Sequence, residues 1–99
     1  MLFAEKIKQL REEKQLLQSQ LASALEIDTP MFSKIERGDR RAKREQIAII
    51  AEILQIDSEE LLTLWLADQV AEVIEKDKEI SDKVLSTVKQ NINKTEFKI

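Results

Sequence analysis

The sequence predicts an all-α fold, and three observations carry that prediction. The chain of 99 residues has one Gly, one Pro and no Tyr, so it has few of the turn residues and aromatics on which strand-rich chains depend. Leu, Ile, Ala, Glu, Lys and Gln dominate, and all but Ile are good helix formers. Apolar residues recur three and four positions apart along most of the chain, the period of a helix with one buried face. A chain of this length supports one compact domain with an appendage. The boundary predicted here is a domain over 1–65 and a helical extension over 66–99.

Taken in order, Phe3, Ile7 and Leu10 predict a first helix over about 3–14. A short second helix, about 18–25, turns Leu21, Ala22 and Leu25 inward. After the tight connection "EID", Asp28 or Thr29 caps a third helix over about 29–37, with Pro30 in its first turn, where a missing N–H costs nothing. Phe32 and Ile35 give that helix its inner face, and Gly38 stops it. A basic loop, Asp39 to Lys43, leads to a fourth helix over about 44–55, with Ile47, Ile50, Ala51 and Leu54 inside. Asp57 and Glu60 have the spacing of a capping box opening a fifth helix. Leu66, Val70, Val73 and Ile74 carry its period onward. A last amphipathic helix, about 79–92, uses Ile80, Val84, Val88 and Ile92, and the tail "NKTEFKI" is expected to fray.

The chain total of −3 hides a strong segregation of charge. Residues 1–44 hold ten Lys/Arg and seven Asp/Glu, residues 45–79 hold two and ten, and residues 80–99 hold four and two. Six of the sixteen basic residues fall between Thr29 and Arg44. A polyanion responds to the field within about 8 Å at physiological salt rather than to the net charge. The basic block therefore marks a face suited to nucleic acid, unless it is merely a solvated loop. The acidic stretch after it suits a face turned away from phosphate, or simply a soluble helical surface.

Two short helices joined by three residues have helix-turn-helix spacing. The stretch "LLQSQLASALEIDTPMFSKIERGDR" resembles the helix-turn-helix family of the phage repressors, Cro and the XRE-type regulators. The resemblance rests on Gln18, Leu21-Ala22, Ile27 and Ser33-Lys34-Ile35-Glu36-Arg37-Gly38, with Ile56-Asp57-Ser58-Glu59-Glu60-Leu61-Leu62 similar to the family's fifth helix. It covers about residues 3–65 and implies a lambda-repressor-like five-helix bundle with the remaining helix as an extension. It also implies that helix 3 enters the major groove of double-stranded DNA. The family's base-reading positions fall on Thr29, Pro30, Ser33 and Lys34. Lys34 can donate to guanine, Ser33 can bond several bases, and Pro30 offers apolar contact alone. With so few donors, readout through DNA shape gains weight. Gln18 and the start of helix 2 are expected at a phosphate, as are Arg37, Arg40, Arg41, Lys43 and Arg44.

In the family, an ion pair at the positions of Arg11 and Glu36 links helix 1 to the end of helix 3. Glu36 lies beside Ile35 in the core-facing arc, which favours a buried pair over two independent surface charges. Two departures stand out. Glu26 occupies a turn position where the family often has Gly, so either the turn differs or a left-handed residue is strained. Ala42 stands where Pro is common.

Ile49 and Ile53 lie off the inner face of helix 4, and Leu64 and Trp65 are more apolar than a solvated helix end needs. Two covers are expected for these four residues. One is the C-terminal helix folding back with Ile80, Val84 and Val88; the other is a second copy of the chain. A homodimer would set two recognition helices about 34–36 Å apart for a pseudo-palindromic operator, whereas a monomer would bury everything itself.

The chain has no Cys and no His, and no Gly-rich loop. No catalytic residue, metal site or cofactor is expected. The longest apolar run, Ile47 to Ala51, is too short for a membrane span, and no signal peptide is read. The expectation is a soluble, cytoplasmic, nucleoid-associated regulator with no small-molecule effector, controlled through its own concentration. Controller proteins of restriction–modification systems, antitoxins and phage-type repressors all fit the resemblance. The alternative from another class is a protein–protein adaptor that keeps the helical fold.

Overall fold

The protein, seen here as a computed structural model, is described over residues 1–97. Its elements are α1 (Leu2–Glu13), α2 (Gln18–Ala24), α3 (Thr29–Glu36), α4 (Arg44–Leu54), α5 (Ser58–Ile74), a 3₁₀ segment (Glu75–Ile80) and α6 (Ser81–Phe97). There is no strand among the described residues. The chain forms two compact units, Met1–Gln69 and a second that begins at Val70, so the division falls inside α5.

In the first unit, every helix contributes to one core. Phe3, Ile7, Leu21, Phe32, Ile35, Ile47, Ile50, Leu54 and Leu61 are buried. Leu10, Leu16, Ile27 and Ile56 pack half-buried against them. Fully burying one such side chain favours the folded state by about 1.5–3 kcal/mol, which makes this cluster the main source of stability.

Four of the helices end in the same way. The N–H groups of Leu16, Ile27, Asp39 and Ile56 reach back to the carbonyls of Arg11, Ala22, Lys34 and Ala51, at 2.9–3.0 Å. Each such bond encloses one left-handed residue, the Schellman arrangement. Three of the four following residues, Leu16, Ile27 and Ile56, then drop onto the core. The left-handed residues are Gln15 (φ 57°), Glu26 (φ 58°), Gly38 (φ 81°) and Gln55 (φ 56°). Only Gly38 suits that conformation freely, and a Cβ there would also lie 3.1 Å from Met1 Cγ. The turn at Glu26 thus keeps the geometry of a glycine turn and carries the strain.

The helix starts are equally explicit. Asp28 Oδ1 accepts from Met31 N at 2.8 Å and caps α3, with Pro30 in the first turn. The side chains of Gln20 and Gln46 accept from the N–H of Leu17 (2.7 Å) and Lys43 (2.8 Å), one turn back at the starts of α2 and α4. The α1 N-terminus is capped from far along the chain: Asp68 of α5, itself buried, accepts from Leu2 N at 2.8 Å and Phe3 N at 3.0 Å. Asp57 caps α5 onto Glu59 N (3.3 Å) rather than through the expected box with Glu60.

The second unit is different in kind. None of residues 70–94 is buried. Val70, Val73, Ile80, Leu85, Val88 and Ile92 are exposed, Val73 at 80%. Ile80 and Val88, expected to serve as a cover, remain about half exposed, at 46% and 49%. The tail expected to fray from Asn93 is helical through Phe97, because no Gly or Pro interrupts α6; Lys98 and Ile99 lie outside the described residues.

Two outcomes follow for stability. Glu26→Gly relieves a left-handed side chain and raises the urea-unfolding free energy by about 0.5–1 kcal/mol. Asp68→Ala strips a cap with two charge-assisted bonds and lowers it by about 2 kcal/mol, measured in the same titration.

Candidate nucleic-acid interface

Helices α2 and α3 meet through a turn built from the Glu26 left-handed residue, the half-buried Ile27 and the Asp28 cap. This turn fixes which face of α3 points outward. Phe32, Ile35 and Glu36 are buried, while Thr29, Pro30, Lys34 and Arg37 are exposed. Ser33 is half-buried, and its Oγ accepts from Arg37 Nη1 at 3.1 Å. Arg37 Nε also donates to Asp39 Oδ2 at 3.1 Å, so its charge is partly spent inside the chain.

The inward side of α3 is anchored by charge. Arg11 Nε and Nη2 donate to Glu36 Oε2 and Oε1 at 2.7 and 2.8 Å, a two-pronged pair. Arg11 Nη1 donates to the Leu16 carbonyl at 2.8 Å. Gln18 Nε2 donates to Glu36 Oε1 at 3.1 Å. The two charged side chains are 13% and 2% exposed, so the pair lies largely out of water. Its hydrogen bond to Glu36 holds the Arg11 guanidinium above its ordinary pKa. One carboxylate thereby ties α1, the start of α2 and the end of α3 together. Gln18, expected at a phosphate, has its amide turned toward Glu36 instead.

The basic loop runs directly beside α3. Arg40, Arg41 and Lys43 line one cleft with Ile27, Met31 and Gln46. Arg40, Arg41, Lys43 and Arg44 are all exposed, whereas Ala42 between them is buried. The loop is held from α5: Trp65 Nε1 donates to the Ala42 carbonyl at 2.9 Å. Its alternation of exposed cations around a pinned, buried alanine keeps the charges on the outer side.

Of the four residues expected to need a cover, three are partly shielded within the first unit. Ile53, Leu64 and Trp65 pack half-buried against the core, and only Ile49 stays exposed, at 39%. Two residues were missed by sequence reasoning, Asp68 as the α1 cap and Trp65 as the anchor of the basic loop. A signal existed for the first: Leu61, Trp65 and Asp68 fall on one stripe of α5, and a carboxylate on an inner stripe needs a partner. For Trp65, the signal is an indole N–H that requires an acceptor when partly buried.

A short helix pair with a buried inner edge, an outward second helix and a cationic loop alongside it defines a helix-turn-helix DNA-binding fold. A family model described as a helix-turn-helix domain matches residues 2–64, and the chain belongs to that family, one typical of XRE-like transcriptional regulators. No curated protein and no solved structure matches it. No described helix is long and apolar enough to cross a membrane.

Breaking the buried pair has a defined signature. Arg11→Met leaves Glu36 buried and unmatched and costs about 3–5 kcal/mol of stability, with a correspondingly lower Tm. Arg11→Met combined with Glu36→Leu recovers most of that loss, because an apolar pair of similar volume replaces two desolvated charges.

Proposed function

We propose that the protein is a sequence-specific regulator that binds double-stranded DNA as a homodimer on a pseudo-palindromic operator. The observation that supports this best is the outward face of α3 beside the loop: Thr29, Pro30, Lys34 and Arg37 are exposed next to Arg40, Arg41, Lys43 and Arg44. In this reading α3 lies in the major groove. Lys34 donates to guanine O6 or N7. Ser33, already accepting from Arg37, has its own proton left to donate to a base acceptor. Thr29 and Pro30 meet base edges and thymine methyls at the start of the helix.

The loop cations take phosphates and set the register without reading sequence. Arg37 shares its charge with Asp39 and contributes less than Arg40 or Lys43. The part of Gln18 is to brace Glu36 and hold α2 against α3. Two copies related by a two-fold axis would present their α3 helices about 34–36 Å apart, one turn of the duplex.

Titrating duplex DNA at a series of salt concentrations tests the reading. Affinity falls steeply and linearly in the logarithm of salt as counterions are released. Arg40→Ala lowers that slope by about 1, while Lys34→Ala relaxes base preference at one operator position by about 1–3 kcal/mol. Binding that ignores salt, or no retained duplex, would exclude DNA and favour an adaptor with an apolar interface.

A further inference from the structure

The basic loop is fastened at both ends and thinly supported in its middle. At its start, the N–H groups of Asp39 and Arg40 both donate to the Lys34 carbonyl of α3, at 2.9 and 3.2 Å. At its end, Lys43 N donates to Gln46 Oε1 of α4 at 2.8 Å. Between them the inward tie falls on Ala42. Its side chain is a single methyl, 2% exposed, and its carbonyl accepts from Trp65 Nε1 at 2.9 Å. Beside this tie lies a cavity of about 20 Å³, lined in part by Gly38, Arg40, Ala42 and Trp65. That is room for about one water, so close packing does not by itself fix the loop there.

Trp65 supplies the fixed point. Its ring packs half-buried against the core of the first unit. One turn earlier on α5, Leu61 is fully buried. One turn later, Asp68 accepts from the N–H groups of Leu2 and Phe3 at 2.8 and 3.0 Å. The indole is thus held from both sides, and its N–H defines where the Ala42 carbonyl sits. Arg40 lies two residues before Ala42 and Lys43 directly after it, both exposed. A cation on an ordered backbone meets a phosphate without a further loss of chain entropy. Fixing the backbone of one mobile residue on binding costs about tenfold in affinity.

From this chain of contacts we infer that Trp65 is a positioning residue for the phosphate contacts of Arg40 and Lys43, acting through the Ala42 carbonyl and without touching the duplex itself. The inference rests on the DNA-binding reading above and extends the interface inward to α5. Base readout by Lys34 does not run through this bond, so Trp65 governs how tightly the DNA backbone is held and not which bases are read.

Titration of the full chain against a mixed-sequence duplex at low salt, below the unfolding temperature of every variant, tests it. The wild type should bind. Trp65→Phe keeps an aromatic ring and removes the N–H, and should weaken binding about tenfold. In an Arg40→Ala, Lys43→Ala background the same change should weaken binding by less than about twofold, because the contacts it positions are gone. A general loosening of the fold would instead cost the same factor in both backgrounds. If Trp65→Phe does not reproduce the wild-type helical circular dichroism, the benzothiophene analogue of tryptophan at position 65 keeps the bicyclic shape without the N–H. It then takes the place of Phe in the cycle, with the same expected factors. An effect below about twofold in the wild-type background, or an equal loss in both backgrounds, overturns the positioning role and leaves the DNA reading intact. A wild type that retains no duplex overturns the DNA reading, and the positioning role with it.

Discussion

The buried Arg11–Glu36 pair is the constraint on which the first unit turns. A helix as short as α3 cannot hold an orientation by its apolar face alone. Phe32 and Ile35 bury it against the core, and the two-pronged bond at 2.7 and 2.8 Å fixes its C-terminal end to α1. Gln18 adds α2 to the same carboxylate. An ion pair taken out of water gains little net stability, since desolvation offsets most of the Coulomb attraction. Its value here is geometric: it selects one rotation of α3, and with it the set of side chains that faces outward.

A second frame comes from α5. Along one stripe, Trp65 holds the Ala42 carbonyl and Asp68 caps the first two N–H groups of α1. The basic loop and the N-terminal helix are thus both fixed to the element that closes the core through Leu61. The exposed cations of the loop consequently sit on a backbone held at its centre, between the end of α3 and the start of α4. Rigid placement of several charges matters for a duplex partner, whose phosphates are regularly spaced, more than the number of charges does.

Much of this organisation was legible in the residues. Helical period placed the cores of α1 to α4, Asp28 and Gly38 marked the ends of α3, and the position of Glu36 beside Ile35 pointed it inward. Non-local polar bonds were not legible, because nothing in a local pattern shows that Asp68 reaches the start of the chain or that Trp65 finds Ala42. Gln15 and Gln55 gave no sign of their left-handed backbones, since a turn without Gly or Asn carries no residue signal. The extra apolar residues on α4 and α5 were ambiguous for a different reason: periodicity shows that a face is apolar, not whose surface covers it. Ile53, Leu64 and Trp65 pack half-buried against the core of their own unit, while Leu85, Val88 and Ile92 of α6 are exposed. In the proposed interface, Arg37 and Gln18 changed most, each drawn into bonds within the chain that composition cannot disclose.

The acidic total and the cationic face are compatible because charge is sorted along the chain, with carboxylates concentrated after Glu45 and cations between Lys34 and Arg44. The central claim is that this face, ordered by the buried pair, reads duplex DNA. Selection of bound sequences from a random duplex pool tests it most directly. The expected outcome is enrichment of a pseudo-palindrome whose half-sites lie one helical turn apart, about 10–10.5 base pairs centre to centre. A pool that emerges without any shared sequence, or retains no duplex at all, would contradict it.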